Sequence, residues 1–551
     1  MIERLHPFGS PETAPSLVSQ AIDAGIIYGA SPSNPHEYRS PTDVLAARAR
    51  LGISRGFLDH QGLDMWSAMA ACRQVASEAN ALKEIQPVFP IAPSQFFQKG
   101  IEDELAALAA DNPHAIFRLC ADERDGDFRT VVQFLSQLED GRTPVLFLPE
   151  KCWPSLHLLI DAASAHPRIQ FVLSEHFWDG HRFVHAAMKE ADNIFTDTSL
   201  LHVHEDIAHF ADRYSAARIV FNLGYRTLGG AALGGVLSAN LGLPDKEQIL
   251  FRNIERLTQW TPGVEAPVPR LPEGEWSHYL REGRASVPVI DCHGHLGASS
   301  GWPVRHSYDE EEQAVDKLHE MTSRGVELFV VSGLRALMSH PLDGNRFLES
   351  ALLKLGDPRL LAWFVYNPHF AAELDAFLQK VPQSRIFIGF KLWCDYWKVP
   401  LTDDRLRPMW EAAHAFALPV KIHTWEGEFN SPGMLDGIAA RYPQARLIMA
   451  HCGGTDAGRA EAEAMAQKHP NAYLEWCGSF LSRKPWEETL CEVGAGKLLF
   501  GTDAVLHEYD WELARLLSQP LAPEDLHKIL RENFRQILNL SVSHRTHDSI
   551  F

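Results

Sequence analysis

Lys497-Leu498-Leu499-Phe500-Gly501-Thr502-Asp503, followed by Leu521–Leu538 (LAPEDLHKILRENFRQIL), decides the fold because the chain carries the pattern twice. Arg218-Ile219-Val220-Phe221-Asn222-Leu223-Gly224 precedes Leu241–Leu257 (LGLPDKEQILFRNIERL) in the same order, at the same spacing and with the same apolar skeleton. Working backwards, Pro419–Glu426 (PVKIHTWE) pairs with Pro144–Lys151 (PVLFLPEK), and Tyr442–Cys452 (YPQARLIMAHC) with His166–His176 (HPRIQFVLSEH). Phe390-Lys391-Leu392 pairs with Phe117-Arg118-Leu119, and Gly325–Val331 (GVELFVV) with Gly52–Leu58 (GISRGFL). The separation between paired positions drifts slowly along the chain, as loop insertions would make it. A repeat on this scale is a tandem duplication.

Within each half, short apolar runs alternate with longer amphipathic stretches that end in Gly or Pro, the pattern of buried strands and covering helices. In the second half the predicted strands are Val287–Ile290, Leu328–Ser332, Leu361–Tyr366, Phe387–Lys391, Val420–His423, Arg446–Ala450, Ala472–Glu475 and Lys497–Phe500. Eight continuous apolar runs with helices between them fit a (β/α)8 barrel. The expected fold is therefore α/β, two tandem TIM-type barrels of about 250 residues each. Thr261–Glu275 (TPGVEAPVPRLPEGE) holds four prolines. It places a linker at residues 265–285, between a first barrel over 1–264 and a second over 286–551.

Composition narrows the function classes. The 551 residues include 51 Lys+Arg against 71 Asp+Glu, a net charge of −20, so a polyanion meets repulsion and nucleic acid is not the expected ligand. No apolar run approaches the ~20 residues of a bilayer span, and Met1–Ser10 lacks the pattern of a secretory leader, which gives a cytoplasmic expectation with no membrane partner. The eight cysteines form no C-x-x-C pair and read as buried free thiols.

Val289-Ile290-Asp291-Cys292-His293-Gly294-His295 is the sharpest local signal. Residues two apart on a strand face one side, so Asp291, His293 and His295 are expected to converge at the strand's C-terminal end while Cys292 points away. Barrel active sites form at that end. Later strands of the same half also finish in polar residues: Lys391 the fourth, His423 the fifth, His451 the sixth and Asp503 the eighth. All are expected in one mouth. His202-Val203-His204 and the trio His176, His181 and His185 in the first half have no such setting, and the glycine cluster Gly229–Gly235 lacks the Lys-Ser/Thr of a phosphate loop.

On these motifs, Asp291–His295 (DCHGH), Gly389–Trp393 (GFKLW), Pro419–Glu428 (PVKIHTWEGE), Ala450–Gly454 (AHCGG) and Phe500–Ala504 (FGTDA), residues 285–540 resemble the amidohydrolase superfamily. Within it they resemble the amidohydrolase-related group that includes aminocarboxymuconate-semialdehyde decarboxylase. The resemblance implies a divalent metal held by His293, His295, His423 and Asp503, with His451 beside it as a polarising or proton-transferring group. The family's strand-four motif usually continues Lys-Leu-His-Pro, whereas here Trp393 and Cys394 follow Lys391-Leu392, which leaves the substrate subclass open.

A His/Asp donor set suits Zn²⁺, with Mn²⁺ or Fe²⁺ as alternatives. The expected activity is metal-dependent hydrolysis of a small carboxylate-bearing molecule, with water acidified by the ion, Asp503 as general base and His451 stabilising oxyanion charge. Non-oxidative decarboxylation on the same site is the second reading, and a catalytically silent binding or assembly protein the third. Lys391 either binds a substrate carboxylate as an ammonium or is carboxylated to bridge two metals. Glu426 and Glu428 read as solvated loop carboxylates, and Trp393, Asp395, Tyr396 and Trp397 as residues of the pocket mouth. Arg118, Leu148, Glu175 and Gly224 occupy the corresponding positions of the first half, and they offer no comparable donor set. The first barrel is thus expected to be degenerate, retained for packing or pairing, with a homo-oligomer as the candidate assembly.

Overall fold

The computed structural model describes residues 8, 10–31, 35, 37–120, 128–138, 143–263, 271, 273–298 and 310–542. The described residues divide into two compact units, Phe8–Arg281 and the part from Glu282 onward.

The first unit is an eight-stranded parallel sheet in sequential order, β1 Ile22–Tyr28, β2 Arg55–His60, β3 Ile85–Ile91, β4 Ile116–Leu119, β5 Val145–Pro149, β6 Gln170–Ser174, β7 Ile194–Asp197 and β8 Ile219–Val220. The second repeats it: β9 Val289–Leu296, β10 Val326–Gly333, β11 Leu360–Val365, β12 Phe387–Leu392, β13 Pro419–His423, β14 Arg446–Ala450, β15 Ala472–Glu475 and β16 Leu498–Leu499. Each sheet curls until its first strand meets the segment after its last. Ala24 N–H donates to Phe221 O at 3.1 Å in the first, and Cys292 N–H donates to Phe500 O at 3.1 Å in the second. These are two (β/α)8 barrels, as the duplication predicts.

The connections between strands are helices set by local signals. Ser40, for example, accepts from Asp43 N–H at the start of Pro41–Leu51, and Gly52 ends that helix in a left-handed conformation at φ 95°. In the second barrel Ile290, Cys292, Leu328, Val330, Leu361, Trp363, Ile388, Ile448 and Leu499 form one buried cluster with Phe534, Ile537 and Leu538 of the last helix. The barrel is therefore a packed core.

Two departures from the sequence reading matter. Val289–Leu296 runs six residues beyond the predicted strand end, so the Asp291–His295 motif lies within the strand. Cys292 does not point away: its Sγ lies 3.3 Å from Lys421 Nζ in the interior. A bulge is the cause, because the pairing passes from Asp291 opposite Phe329 to Gly294 opposite Val331, three steps against two, which breaks strict alternation. The expected linker also differs. Residues 264–270 and 272 lie outside the described set, but Glu275–Glu282 is a helix whose Trp276 and Tyr279 are buried, Tyr279 edge-on to Phe8 in the first unit.

The duplication extends to single side-chain amides. Asn193 Nδ2 donates to Ala163 O at 3.0 Å and Ile169 O at 2.9 Å, and Asn471 Nδ2 donates to Ala439 O at 3.3 Å and Ala445 O at 3.0 Å. After the last strand of each barrel a π-helical turn, Gln248–Arg252 or Lys528–Glu532, delivers a second asparagine, and this one is buried in both barrels. Asn253 Nδ2 donates to Ala216 O at 2.8 Å and Ile219 O at 2.7 Å; Asn533 Nδ2 donates to Ala495 O at 2.6 Å and Leu498 O at 2.8 Å. Each amide pins the final helix to the segment entering the final strand. Replacing Asn533 by Ala removes two buried hydrogen bonds at about 0.5–1.5 kcal/mol each, so urea unfolding of Asn533→Ala is expected to show a loss of about 1–3 kcal/mol.

Candidate metal centre

The closing seam of the second barrel builds the site. Asp291 Oδ1 accepts from His293 N–H at 3.0 Å and Thr502 N–H at 3.1 Å, and Oδ2 accepts from the Thr502 hydroxyl at 2.5 Å. Asp503 N–H donates to His293 O at 2.7 Å. Asp291 is thereby fully used in joining β9 to the turn after β16, and burial raises its carboxyl to about 7. The same bonds fix Asp503, at φ 63°, against the two histidines of β9. Its Oδ1 lies 2.8 Å from His295 Nε2 and 3.3 Å from His293 Nε2.

The other strand ends add to this pair. His451, following β14, has its ring centre 5.2 Å from that of His293 and 4.4 Å from that of His423. Its Nδ1 donates to Cys477 O at 2.8 Å, which leaves Nε2 with a lone pair. One ligand atom each from His293, His451 and Asp503 falls within 4.8 Å of the others. His423, at the end of β13, is the most open of the four histidines, its Nε2 3.5 Å from Asp395 Oδ2. The rings of Trp393, Tyr396 and Trp425 stand about it, with centres 6.0, 6.0 and 6.2 Å away. Lys391 Nζ lies 2.8 Å from His293 Nε2. The structure thus brings His293, His295, Lys391, His451 and Asp503 into direct neighbourhood and sets His423 on their outer, aromatic side. Trp397 turns away, its Nε1 donating to Leu337 O at 3.0 Å. Glu426 and Glu428 are exposed on the following loop.

Electrostatics suit a cation. Burial holds all four imidazoles below their ordinary range, helped at His293 by Lys391 and Lys421, so they are neutral at pH 7 and offer lone pairs. Burial alone would raise the Asp503 carboxyl, but the hydrogen bond with His295 and the neighbouring imidazoles outweigh it and hold the group well below the carboxylate range. Neutral nitrogens around an ionised oxygen are the donor set a borderline divalent ion takes. Burial and Lys421 bring the Lys391 ammonium down to about 8, and burial brings the Asp395 carboxyl up to about 6.

Sequence reasoning missed three groups. His507 lies with Nε2 3.8 Å from Asp503 Oδ2 and Nδ1 3.4 Å from Glu512 Oε1. Its i+4 spacing from Asp503 was the available signal. Glu475 closes β15 and lies with Oε2 2.8 Å from His293 Nδ1, and Lys421 lies beneath it. Lys421 was hidden because a lysine inside an apolar run looks like an irregularity, and Glu475, though it closes its strand, because nothing in the sequence pairs it with His293.

Among the described residues the first barrel has no such centre. Gly25 stands where His293 stands in the second, and a Cβ there would overlap Asn222 Oδ1. Asn222 donates to Asp197 Oδ2 at 2.7 Å and so fills the place of a ligand. Arg118, opposite number of Lys391, is clasped by Asp59 at 2.5 Å and Asp64 at 2.7 Å. His176 bonds Thr196 Oγ1 at 2.7 Å, His185 bonds Tyr214 Oη at 3.1 Å, and His181 Nδ1 lies 3.3 Å from Asp206 Oδ2. His202 Nδ1 bonds Leu200 O at 2.7 Å. Gly229–Gly235 lead into the buried helix Ala231–Ser238. No helix among the described residues is long and apolar enough to cross a membrane.

Comparison with known proteins matches the family model described as Amidohydrolase to residues 290–540. Among solved structures, 2,6-dihydroxybenzoate decarboxylase from Rhizobium is 16% identical, covers 46% of this chain and 99% of its own, and superposes with a TM-score of 0.35. The 5-carboxyvanillate decarboxylase of Sphingomonas paucimobilis gives 13%, 46%, 99% and 0.35. A TIM-barrel protein of Bordetella bronchiseptica gives 18%, 46%, 99% and 0.38. A search of curated proteins found no match.

Gly478, at φ 68°, leaves room for the His451 ring: a Cβ there would stand 2.8 Å from His451 Nδ1 and 3.0 Å from His507 Cε1. Gly478→Ala is expected to displace His451 from Cys477 O in the variant's crystal structure. It should also lower the unfolding free energy by about 1–2 kcal/mol from the left-handed backbone alone.

Proposed function

We propose that the second barrel, whose residues 290–540 match the Amidohydrolase family model, is a metal-dependent hydrolase of a small, carboxylate-bearing molecule. The observation that carries this reading is the meeting of Asp503 Oδ1 with the Nε2 atoms of His295 and His293, at 2.8 and 3.3 Å, inside a ring of neutral imidazoles. His293, His295, His423 and Asp503 are the proposed ligands, with zinc the first choice and manganese or iron the alternatives for such donors. A divalent ion held there supplies Lewis acidity to a substrate oxygen and lowers the pKa of water.

The remaining work falls to the chain's own groups. With Oδ1 turned to the histidines, Asp503 uses Oδ2, which lies 3.8 Å from His507 Nε2, to take the proton of the attacking water and return it to the leaving group. Nε2 of His451, whose ring is held by Cys477 O, accepts a hydrogen bond from that water and orients it. Lys391, an ammonium below about 8, pairs with the substrate carboxylate. Trp393, Tyr396 and Trp425 shield the mouth on the His423 side.

One observation favours a second reading. Asp395 faces His423 among aromatic rings with its carboxyl raised to about 6, so near neutrality a fraction stays protonated and can deliver a proton to carbon. That is what loss of carbon dioxide from an aromatic carboxylate requires.

Elemental analysis of the purified protein is expected to find about one equivalent of divalent metal, lost in His293→Asn and Asp503→Asn. Its absence, with none taken up on addition, contradicts the proposal. Incubation with carboxylate esters, lactones and hydroxybenzoates divides the two reactions: hydrolysis releases no carbon dioxide. For the hydrolase, KM is expected to rise as pH climbs through about 8 and Lys391 loses its charge. For the decarboxylase, turnover is expected to fall as pH rises through about 6 and Asp395 loses its proton.

A further inference from the structure

Beneath the ligand face lies a pair of buried charges that the proposed chemistry leaves unused. Lys421 on β13 and Glu475 at the end of β15 are both fully buried, with Nζ 3.1 Å from Oε2. Lys421 Nζ also lies 3.3 Å from Cys292 Sγ, among the apolar side chains of the barrel interior. Glu475 Oε1 accepts from Cys477 N–H at 2.7 Å, and Oε2 lies 2.8 Å from His293 Nδ1. Placing two ions in such surroundings carries a desolvation penalty that an apolar pair would avoid, so packing gives no reason for them.

The two nitrogens of His293 meet opposite demands. Nδ1 faces the Glu475 carboxylate, which only accepts, while Nε2 faces Lys391 Nζ at 2.8 Å, which donates. The tautomer with hydrogen on Nδ1 and the lone pair on Nε2 satisfies both of these neighbours at 2.8 Å, whereas the other serves only the more distant acceptor, Asp503 Oδ1 at 3.3 Å from Nε2. The remaining neighbour of Nδ1, Cys477 Sγ, is farther away at 3.3 Å.

We infer that Glu475, held in place by Lys421, is the positioning residue that fixes His293 as the Nδ1–H tautomer and aims its Nε2 lone pair into the barrel mouth. In its bearing on metal affinity this rests on the proposed function, since the lone pair so directed is the one offered to the ion. A carboxylate behind a ligating imidazole sets the ring's orientation and raises its basicity. The ammonium of Lys421 and the backbone N–H of Cys477 each hold one oxygen, so the carboxylate cannot turn away from the ring.

The first barrel supplies an internal comparison. Where the ligand is missing, at Gly25, the lysine is missing too: Leu146 occupies its place on β5, by the alignment of Pro144–Lys151 with Pro419–Glu426. The acid ending β7, Asp197, is taken up by Ser199 N–H at 3.0 Å and Asn222 Nδ2 at 2.7 Å. The lysine occurs in the barrel that has an imidazole to orient and is lacking in the one that does not.

The test uses the full-length, metal-stripped protein labelled with ¹⁵N-histidine, the His293 ring being identified by its loss in His293→Asn. Wild type is expected to show a protonated Nδ1 and an unprotonated Nε2 at neutral pH. In Glu475→Gln the side chain can present either a carbonyl or an amide, so a mixture of tautomers is expected. The Mn²⁺ dissociation constant should then rise about 10- to 100-fold. A wild-type His293 protonated on Nε2 overturns the inference, even if the variant does not fold. So does a folded Glu475→Gln variant with unchanged tautomer and unchanged Mn²⁺ affinity. If wild type binds no Mn²⁺ yet the tautomer shifts on Glu475→Gln, the positioning role stands and the metal reading falls.

Discussion

The site depends on the seam where the second barrel closes. Asp291 accepts from Thr502, and Asp503 N–H donates to His293 O, so the first strand and the turn after the last are tied by buried hydrogen bonds. Those bonds bring a carboxylate more than two hundred residues away in sequence against the imidazoles of β9. His295 reaches that carboxylate at 2.8 Å, whereas His451, whose Nδ1 donates to Cys477 O, turns an Nε2 lone pair toward the same mouth. Ionised oxygen and unprotonated nitrogen together are the donors a divalent cation takes.

The two barrels share their framework and differ at the face. The asparagines at 193 and 471, and at 253 and 533, make the same bonds to corresponding carbonyls, so the constraints on strand entry and helix docking survive in both halves. Even the left-handed backbone at the sixth strand end is common, Glu175 at φ 55° and His451 at φ 61°. The ligand positions have diverged. In the first barrel Asn222 fills the space opposite Gly25, and Arg118 is neutralised by two aspartates, so the corresponding positions hold polar pairs. Such pairs leave the polar groups at these positions of the first barrel satisfied.

Strand order, duplication and the polar strand ends were legible because parallel strands are continuous apolar runs, and a charged residue at their C-terminal end stands out. Placement within β9 was not, because a bulge leaves no mark in a single sequence and reverses the side on which Cys292 lies. Glu475, at a strand end, and Lys421, inside a strand, escaped notice for a related reason: a buried charge is meaningful only once its partner from another strand is seen. The helix Glu275–Glu282 was masked by the prolines before it, which signal a connector but do not say where it ends.

Diffraction recorded at the absorption edge of the bound metal tests the central claim most directly. The account predicts one strong anomalous peak in the mouth of the second barrel, about 2.0–2.2 Å from the ligating nitrogen and oxygen atoms of His293, His295, His423 and Asp503, and none in the first. An absent peak from protein saturated with metal, or a peak among other residues, would contradict it.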